Sequence, residues 1–255
     1  GKSREEKGSQ SSKKTKITNI ISAHYKENKL WVCVNGNVDT TLVCFFPDGT
    51  QRGVNFYTDS TNRFIFHTSS SLVIDAINTQ YKWLVSCRSI PAVALLDDAG
   101  TPFNPQDDKC KVRTEFYDQD GNVIVPEYYY TLSQAPNGDI WIGSSSGPII
   151  ISTDINFLQS NQCRRLRINM PDGTNFLDTE RVNAFAWDNK ENIWIGTQTG
   201  GIYVLNPEGT EILAHYTSDN SEMPANTVLS IAYDSTNQQM FIGTGRGIVS
   251  YLENP

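Results

Sequence analysis

A repeating all-β architecture follows from three features of this 255-residue chain. First, Arg181–Leu205 (RVNAFAWDNKENIWIGTQTGGIYVL) is copied at Thr227–Leu252 (TVLSIAYDSTNQQMFIGTGRGIVSYL). Val182, Ala186 and Asp188 recur 46 residues later as Val228, Ala232 and Asp234; Ile195, Gly196 and Thr197 recur 47 later as Ile242, Gly243 and Thr244. Second, each copy consists of short alternating strands broken by turn residues. Third, an aromatic holds one place in five successive units: Trp31, Trp83, Trp141, Trp194 and Phe241, spaced by 52, 58, 53 and 47 residues. A fixed period of this length, built from short strands, means small antiparallel sheets stacked side by side. Such sheets are the blades of a β-propeller. About five blades of three to four strands are expected. The alternative is part of a larger ring, for example one of seven blades.

The elements follow in chain order. Residues 1–16 hold no apolar side chain able to seed a core, so a disordered tail or linker is expected there. The propeller is expected over 17–255, with blades at about 17–70, 71–125, 126–180, 181–226 and 227–255. Blade one takes Ile20–Tyr25, Lys29–Val34, Thr40–Phe45 and, after the Pro47–Thr50 turn, Gln51–Tyr57. Blade two takes Leu72–Ile77, Tyr81–Ser86 and Ala92–Asp97. A surface loop is expected at Thr101–Lys109 and an outer strand at Lys111–Tyr117. Blade three takes Tyr128–Ser133, Asp139–Gly143 and Pro148–Ser152, with Asn137–Gly138 as a strong turn signal. Its outer strand is expected at Arg164–Met170, followed by a turn at Pro171–Gly173. Blade four takes Val182–Trp187, Ile193–Thr197, Gly201–Leu205 and Glu211–Tyr216. Blade five takes Val228–Tyr233, Met240–Thr244 and Gly247–Leu252.

In the first strand of blade four, Val182, Ala184 and Ala186 share one face and Phe185 and Trp187 the other. Apolar residues on both faces suit a sheet sandwiched between two neighbours. Gly196 and Gly243 allow a bulge or a close approach just after the aromatic. No fourth strand is expected for blade five, and its bare edge is expected to be covered by sequence outside this chain. Within the isolated chain, side-chain packing of blade one on blade five or pairing with another molecule is expected to hold the ring.

Charge narrows the function. Six Lys/Arg and two Glu give residues 1–16 a charge of +4, so the rest carries −11 of the total −7. An acidic body repels phosphate backbones, so no nucleic-acid partner is expected. No apolar run approaches the ~20 residues of a membrane span. The five cysteines, Cys33, Cys44, Cys87, Cys110 and Cys163, lack CxxC spacing and paired histidines, so no metal site or cofactor is expected. They read as buried apolar residues, although Cys33 and Cys44 fall on neighbouring strands where a disulfide is the alternative.

No catalytic motif is visible. His24, His67 and His215 lie outside any GxSxG, HExxH or Cys/His pattern and read as structural. Asp118–Asn122 (DQDGN) resembles the start of a calcium loop, but it lacks the distal Glu and reads as a turn. Gly200–Gly201 and Gly245–Gly247 read as turn glycines, since no helix follows. The regularly placed tryptophans read as core between blades. Trp187, ending a first strand near a blade edge, is a candidate ligand-binding residue. Tyr129, in the Tyr128–Tyr130 cluster, is the other. Alternation turns Tyr129 away from its neighbours, so one face of the cluster points to a surface or the channel mouth.

The repeat resembles the two-component regulator propeller motif. Val182–Asp188 with Asn192–Gly201 carries it best, and Asn137–Gly143 (NGDIWIG) is close. Blade five has Phe241 for Trp, while WVCV and WLVS in blades one and two depart from I-G-T. From about Leu72 onward the chain is similar to PorZ-like proteins, most distinctively in TSDNSEMPAN (217–226) and GIVSY (247–251). That resemblance implies a non-enzymatic accessory of type IX secretion and surface attachment, in the periplasm or at the cell surface of a Gram-negative bacterium. Envelope proteins or a surface glycan would be its partners. It further implies propellers followed by a small C-terminal β-domain, hence further domains beyond Pro255. Relatives with the generic motif imply instead a periplasmic glycan-sensing domain of a hybrid two-component regulator.

Overall fold

The structure is a computed structural model and describes residues 19–34, 40–54, 56–57, 63–64, 69–87, 90–104, 106–170 and 174–252. The expected N-terminal tail, His67 and the Pro171–Gly173 turn lie outside these residues.

Among the described residues every regular element is a strand, and every sheet is antiparallel. Blade one is β1 (Ile20–Lys26), β2 (Lys29–Val34), β3 (Leu42–Phe45) and β4 (Gln51–Val54), paired in that order. A separate hairpin follows, β5 (Phe56–Tyr57) with β6 (Arg63–Phe64). Blade two is β7 (Ser69–Ile74), β8 (Tyr81–Ser86), β9 (Ala92–Asp97) and β10 (Lys109–Arg113). A second small hairpin is β11 (Phe116–Tyr117) with β12 (Val123–Ile124). Blade three is β13 (Tyr129–Gln134), β14 (Ile140–Ser144) and β15 (Gly147–Ile151). Blade four is β16 (Val182–Trp187), β17 (Ile193–Thr197), β18 (Ile202–Leu205) and β19 (Ile212–Tyr216). Blade five is β20 (Val228–Asp234), β21 (Gln239–Thr244) and β22 (Gly247–Leu252).

Three expected outer strands change. Gln51–Tyr57 and Lys111–Tyr117 each break into a blade strand and half of a separate hairpin. Arg164–Met170 forms only isolated bridges, such as Ile150 with Arg164. Its backbone is engaged by a side chain instead: Gln119 Oε1 accepts from Arg165 N at 2.9 Å, and Gln119 Nε2 donates to Arg165 O at 3.0 Å. The Thr101–Lys109 loop also turns inward, placing Phe103 6.4 Å from Trp31 and 5.4 Å from Phe46 between ring centres.

Apolar cores form between successive blades. Trp31, Leu42 and Leu84 join blades one and two; Trp83, Tyr129 and Ile142 join two and three. Trp141, Phe185 and Ile195 join three and four; Trp194, Val228 and Met240 join four and five. Each tryptophan thus faces the blade that follows it. Among the described residues no such core joins blade five to blade one. The expected side-chain contact between those two blades is therefore replaced by exposed residues: Ile20 and Tyr25 on β1, Leu229 on β20, Ile248 and Leu252 on β22. Phe241, the fifth of the aromatic series, is 39% exposed because no described blade covers it.

Two local devices recur. The first strand of every blade carries a bulge, and in blades three and four a glycine of the second strand lies opposite it: Thr131 faces Gly143 and Ala184 faces Gly196. A Cβ at Gly143 would stand 2.5 Å from Val182 O, and one at Gly196 2.5 Å from Val228 Cγ1, so glycine lets the next blade approach. The second device is an aspartate just after the first strand. Asp188 Oδ1 accepts from Lys190 N and Asn192 N at 2.9 Å, while its Oδ2 accepts from Trp194 Nε1 at 3.0 Å. Asp75 likewise holds Ile77 N, Asn78 N and Trp83 Nε1. One carboxylate therefore shapes the turn and satisfies a buried indole N–H, a group costly to bury unpaired. Buried Lys82 is neutralised by Asp98 and also donates to Thr79 O and Gln80 O. None of the five cysteines, all among the described residues, is in a disulfide. Cys33 lies opposite Leu42 and Cys44 opposite Trp31, both inside the core between blades one and two.

Candidate functional site

The first strands of the blades pack on one another in order, so they line the axis of the molecule. Each bulge re-aims one residue of that strand. The residues skipped in the registers of blades two to five are Ser70, Tyr130, Asn183 and Leu229. All four line one recess of about 490 Å³, joined by Cys87, Tyr128 and Arg181. Strand alternation alone does not reveal this set. In blades three to five its sequence signal is the glycine two residues after the aromatic, which lies opposite the bulge.

Arg181 and Tyr130 form the centre of the recess. The guanidinium carbon lies 3.7 Å from the Tyr130 ring centre, a cation–π stack. Arg181 Nε donates to Asn183 Oδ1 at 2.7 Å. Asn183 Nδ2 donates to Gln198 Oε1 at 3.1 Å and, across to blade five, to Val228 O at 2.8 Å. Tyr128 lies 6.0 Å from Tyr130 between ring centres. Burial raises the Tyr130 phenol above its ordinary value, and Arg181 opposes that rise. The recess thus offers aromatic faces and a pre-oriented guanidinium.

Tyr129 is not part of it. The candidate from the tyrosine cluster is fully buried, its ring 6.3 Å from Phe116 and its hydroxyl donating to Thr114 O at 3.1 Å. Burial drives its phenol far above the ordinary value. The reason is the bulge at Tyr130, which breaks the alternation so that Tyr129 and Leu132 both enter the core while Tyr128 and Tyr130 line the recess. Trp187, the other candidate, is half-buried at the opposite end of its strand. It lies 5.9 Å from Trp141 and 6.4 Å from Phe185 between ring centres. It lines a separate cleft of about 260 Å³ between blades three and four, with Ala135, Asn137, Trp141, Arg164 and Glu208. The structure therefore does not bring the two candidates together.

Arginines beside that cleft are tied down. Arg165 pairs with Asp178 at 2.6 Å and donates to Ser146 O; Arg167 pairs with Asp118 at 2.5 Å and Asp120 at 2.6 Å. Asp118 also holds the N–H groups of Asp120 and Asn122, which makes DQDGN the expected turn. Among the described residues no three His, Cys, Asp or Glu cluster as metal ligands. His215 stacks on Tyr203 at 4.0 Å with its Nε2 2.6 Å from Gly200 O. His24 lies on β1, where burial and then Lys26 lower its pKa.

Bladed antiparallel sheets around an axis define a β-propeller. The solved structures it resembles agree on the fold. PorZ of Porphyromonas gingivalis, an essential bacterial surface component of the type-IX secretion system, is 23% identical with a TM-score of 0.79 over 91% of this chain and 32% of that one. The extracellular domain of a hybrid two component system of B. thetaiotaomicron is 15% identical, with a TM-score of 0.61 over 91% and 27%. A gluconolactonase of Xanthomonas campestris is 16% identical, with a TM-score of 0.54 over 87% and 67%. The chain thus spans about a third of the PorZ chain's length. The motif resemblance to two-component regulator propellers and PorZ-like proteins is matched by these neighbours. No family profile and no curated protein matches the chain.

Proposed function

We propose that the chain is a non-enzymatic binding module of the Gram-negative envelope, in the periplasm or at the cell surface, that docks protein partners of a secretion and surface-attachment assembly. The observation that carries this reading is the likeness to PorZ, with a TM-score of 0.79 against 0.61 for the hybrid-system domain and 0.54 for the gluconolactonase. The TSDNSEMPAN linker (217–226) supports it from the sequence side. Cross-linking the tagged native protein in intact envelopes and identifying what co-purifies tests it. Type IX secretion components are the expected catch. Recovery of sensor kinases without them would overturn the reading.

The recess favours a second reading, a glycan-sensing domain. Tyr128, Tyr130 and Arg181 offer stacking faces and hydrogen-bond donors of the kind sugars use. Calorimetry against a glycan panel separates the two. Binding that is lost in Arg181→Ala and Tyr130→Ala supports sensing, and turnover of any glycan in that panel would point to an enzyme.

A further inference from the structure

Blade three departs from blades two, four and five at one position, where blade one carries Lys26. In blades two and four the latching aspartate stands two residues beyond the partner of the tryptophan: Val73 faces Trp83 and Asp75 follows, Ala186 faces Trp194 and Asp188 follows. In blade three Ser133 faces Trp141, so the same place belongs to Ala135. No carboxylate reaches the indole there. Among the described residues no protein acceptor meets the Trp141 indole N–H, which is not a sealed-off buried atom, and none meets the backbone N–H of Asn137, an exposed residue. Both residues line the cleft of about 260 Å³, and Trp187 lines it beside them, its ring centre 5.9 Å from that of Trp141.

The charge has been moved and not lost. Four residues beyond the latch position blade four has Asn192, whereas blade three has Asp139. Asp139 accepts from Thr153 N, from Asn137 Nδ2 at 3.1 Å and from Arg164 Nη2 at 3.0 Å. A ligand carboxylate in the latch position would sit beside Asp139 and be repelled. A hydroxyl would not, because it can accept from the indole N–H and donate to a carboxylate. Trp187 supplies an apolar ring face, and Arg164, 54% exposed at its side chain, supplies further donors at the rim. The volume falls below the ~300–1,000 Å³ of sites for drug-sized ligands, which suits one ring and not a chain.

We propose that this cleft is a subsite for a neutral pyranose. One sugar hydroxyl takes the place of the missing aspartate against Trp141, and the ring lies on Trp187. The site stands at the opposite end of the first strands from the axial recess and does not rest on the secretion reading. Titrating the chain with methyl α-D-glucopyranoside, methyl β-D-galactopyranoside and methyl α-D-mannopyranoside, followed by ligand-observed NMR, tests it. At least one of the three binds, and Trp187→Ala weakens that binding by about tenfold. Ala135→Asp combined with Asp139→Asn rebuilds the blade-four pair and abolishes binding with no loss of melting temperature. Ala135→Leu fills the cleft without a charge and serves if the double variant fails to fold. Silence from all three glycosides would overturn the proposal. Binding that survives the filled cleft, or D-glucuronate binding more tightly than the glucoside, would do the same.

Discussion

Trp194 and Asp188 show how one side-chain pair fixes a turn and a core together. The indole is 2% exposed, packs 6.0 Å from Tyr216 and 5.4 Å from Tyr251 between ring centres, and gives its N–H to Asp188. Trp194→Ala removes the ring from the core between blades four and five and is expected to cost about 3–5 kcal/mol in urea unfolding. A loss below ~1 kcal/mol would mean that the ring contributes no core packing. Asp108 gives a pH signature. Its carboxyl is pushed up to about 6, by burial first and then by Asp98 and Asp107, from a usual value of 3.8. The folded chain then binds this proton more tightly than the unfolded chain. Its contribution to stability is therefore present below about pH 4 and lost as pH rises to about 6. Asp108→Asn should flatten that part of the stability profile and raise stability above it. Melting temperatures across pH 4–7 check this; an unchanged slope would assign it to other groups.

At the level of strands and turns, much could be read from the chain. The spacing of tryptophans and the hairpin signals located the inner strands of all five blades to within a few residues. They share a period, and both their faces are apolar. The two small hairpins escaped because a two-residue strand has no periodicity to detect. Arg164–Met170 looked like an outer strand by alternation. Its fate depends on Gln119, Asp118 and Asp178, each more than ten residues from the arginine it engages, and no local pattern records such partners. The axial recess escaped for the same reason: a bulge shifts alternation by one, which exchanges the roles of Tyr129 and its neighbours. Trp187 ends its strand, where a large aromatic has only one packed side, and it lies at the cleft between blades three and four. Burial also ranks the blades. β17 is buried throughout, whereas β22 has five of six residues exposed. Amide exchange is expected to be slowest in β14 and β17 and fastest in β1, β20 and β22. Uniform protection in all five blades would contradict that order.

Among the described residues four cores join five blades, each core between two blades that are neighbours in sequence. A closed ring stays tied through its far side when one interface weakens. A row does not. Its stability is a sum of blade terms and nearest-neighbour terms, as in a one-dimensional array. A cut made by mutation should therefore have a position-dependent outcome. Met240→Ala loosens the last interface and should free blade five alone, leaving blades one to four resistant to limited proteolysis. Phe185→Ala, in the core between blades three and four, should divide the molecule, so that protease yields one resistant piece ending near residue 180. Equal fragmentation from both variants would show that the blades melt as one cooperative unit. If the row behaves as its cores imply, the damage done by a substitution is governed less by how deeply the residue is buried than by how many blades it leaves on each side.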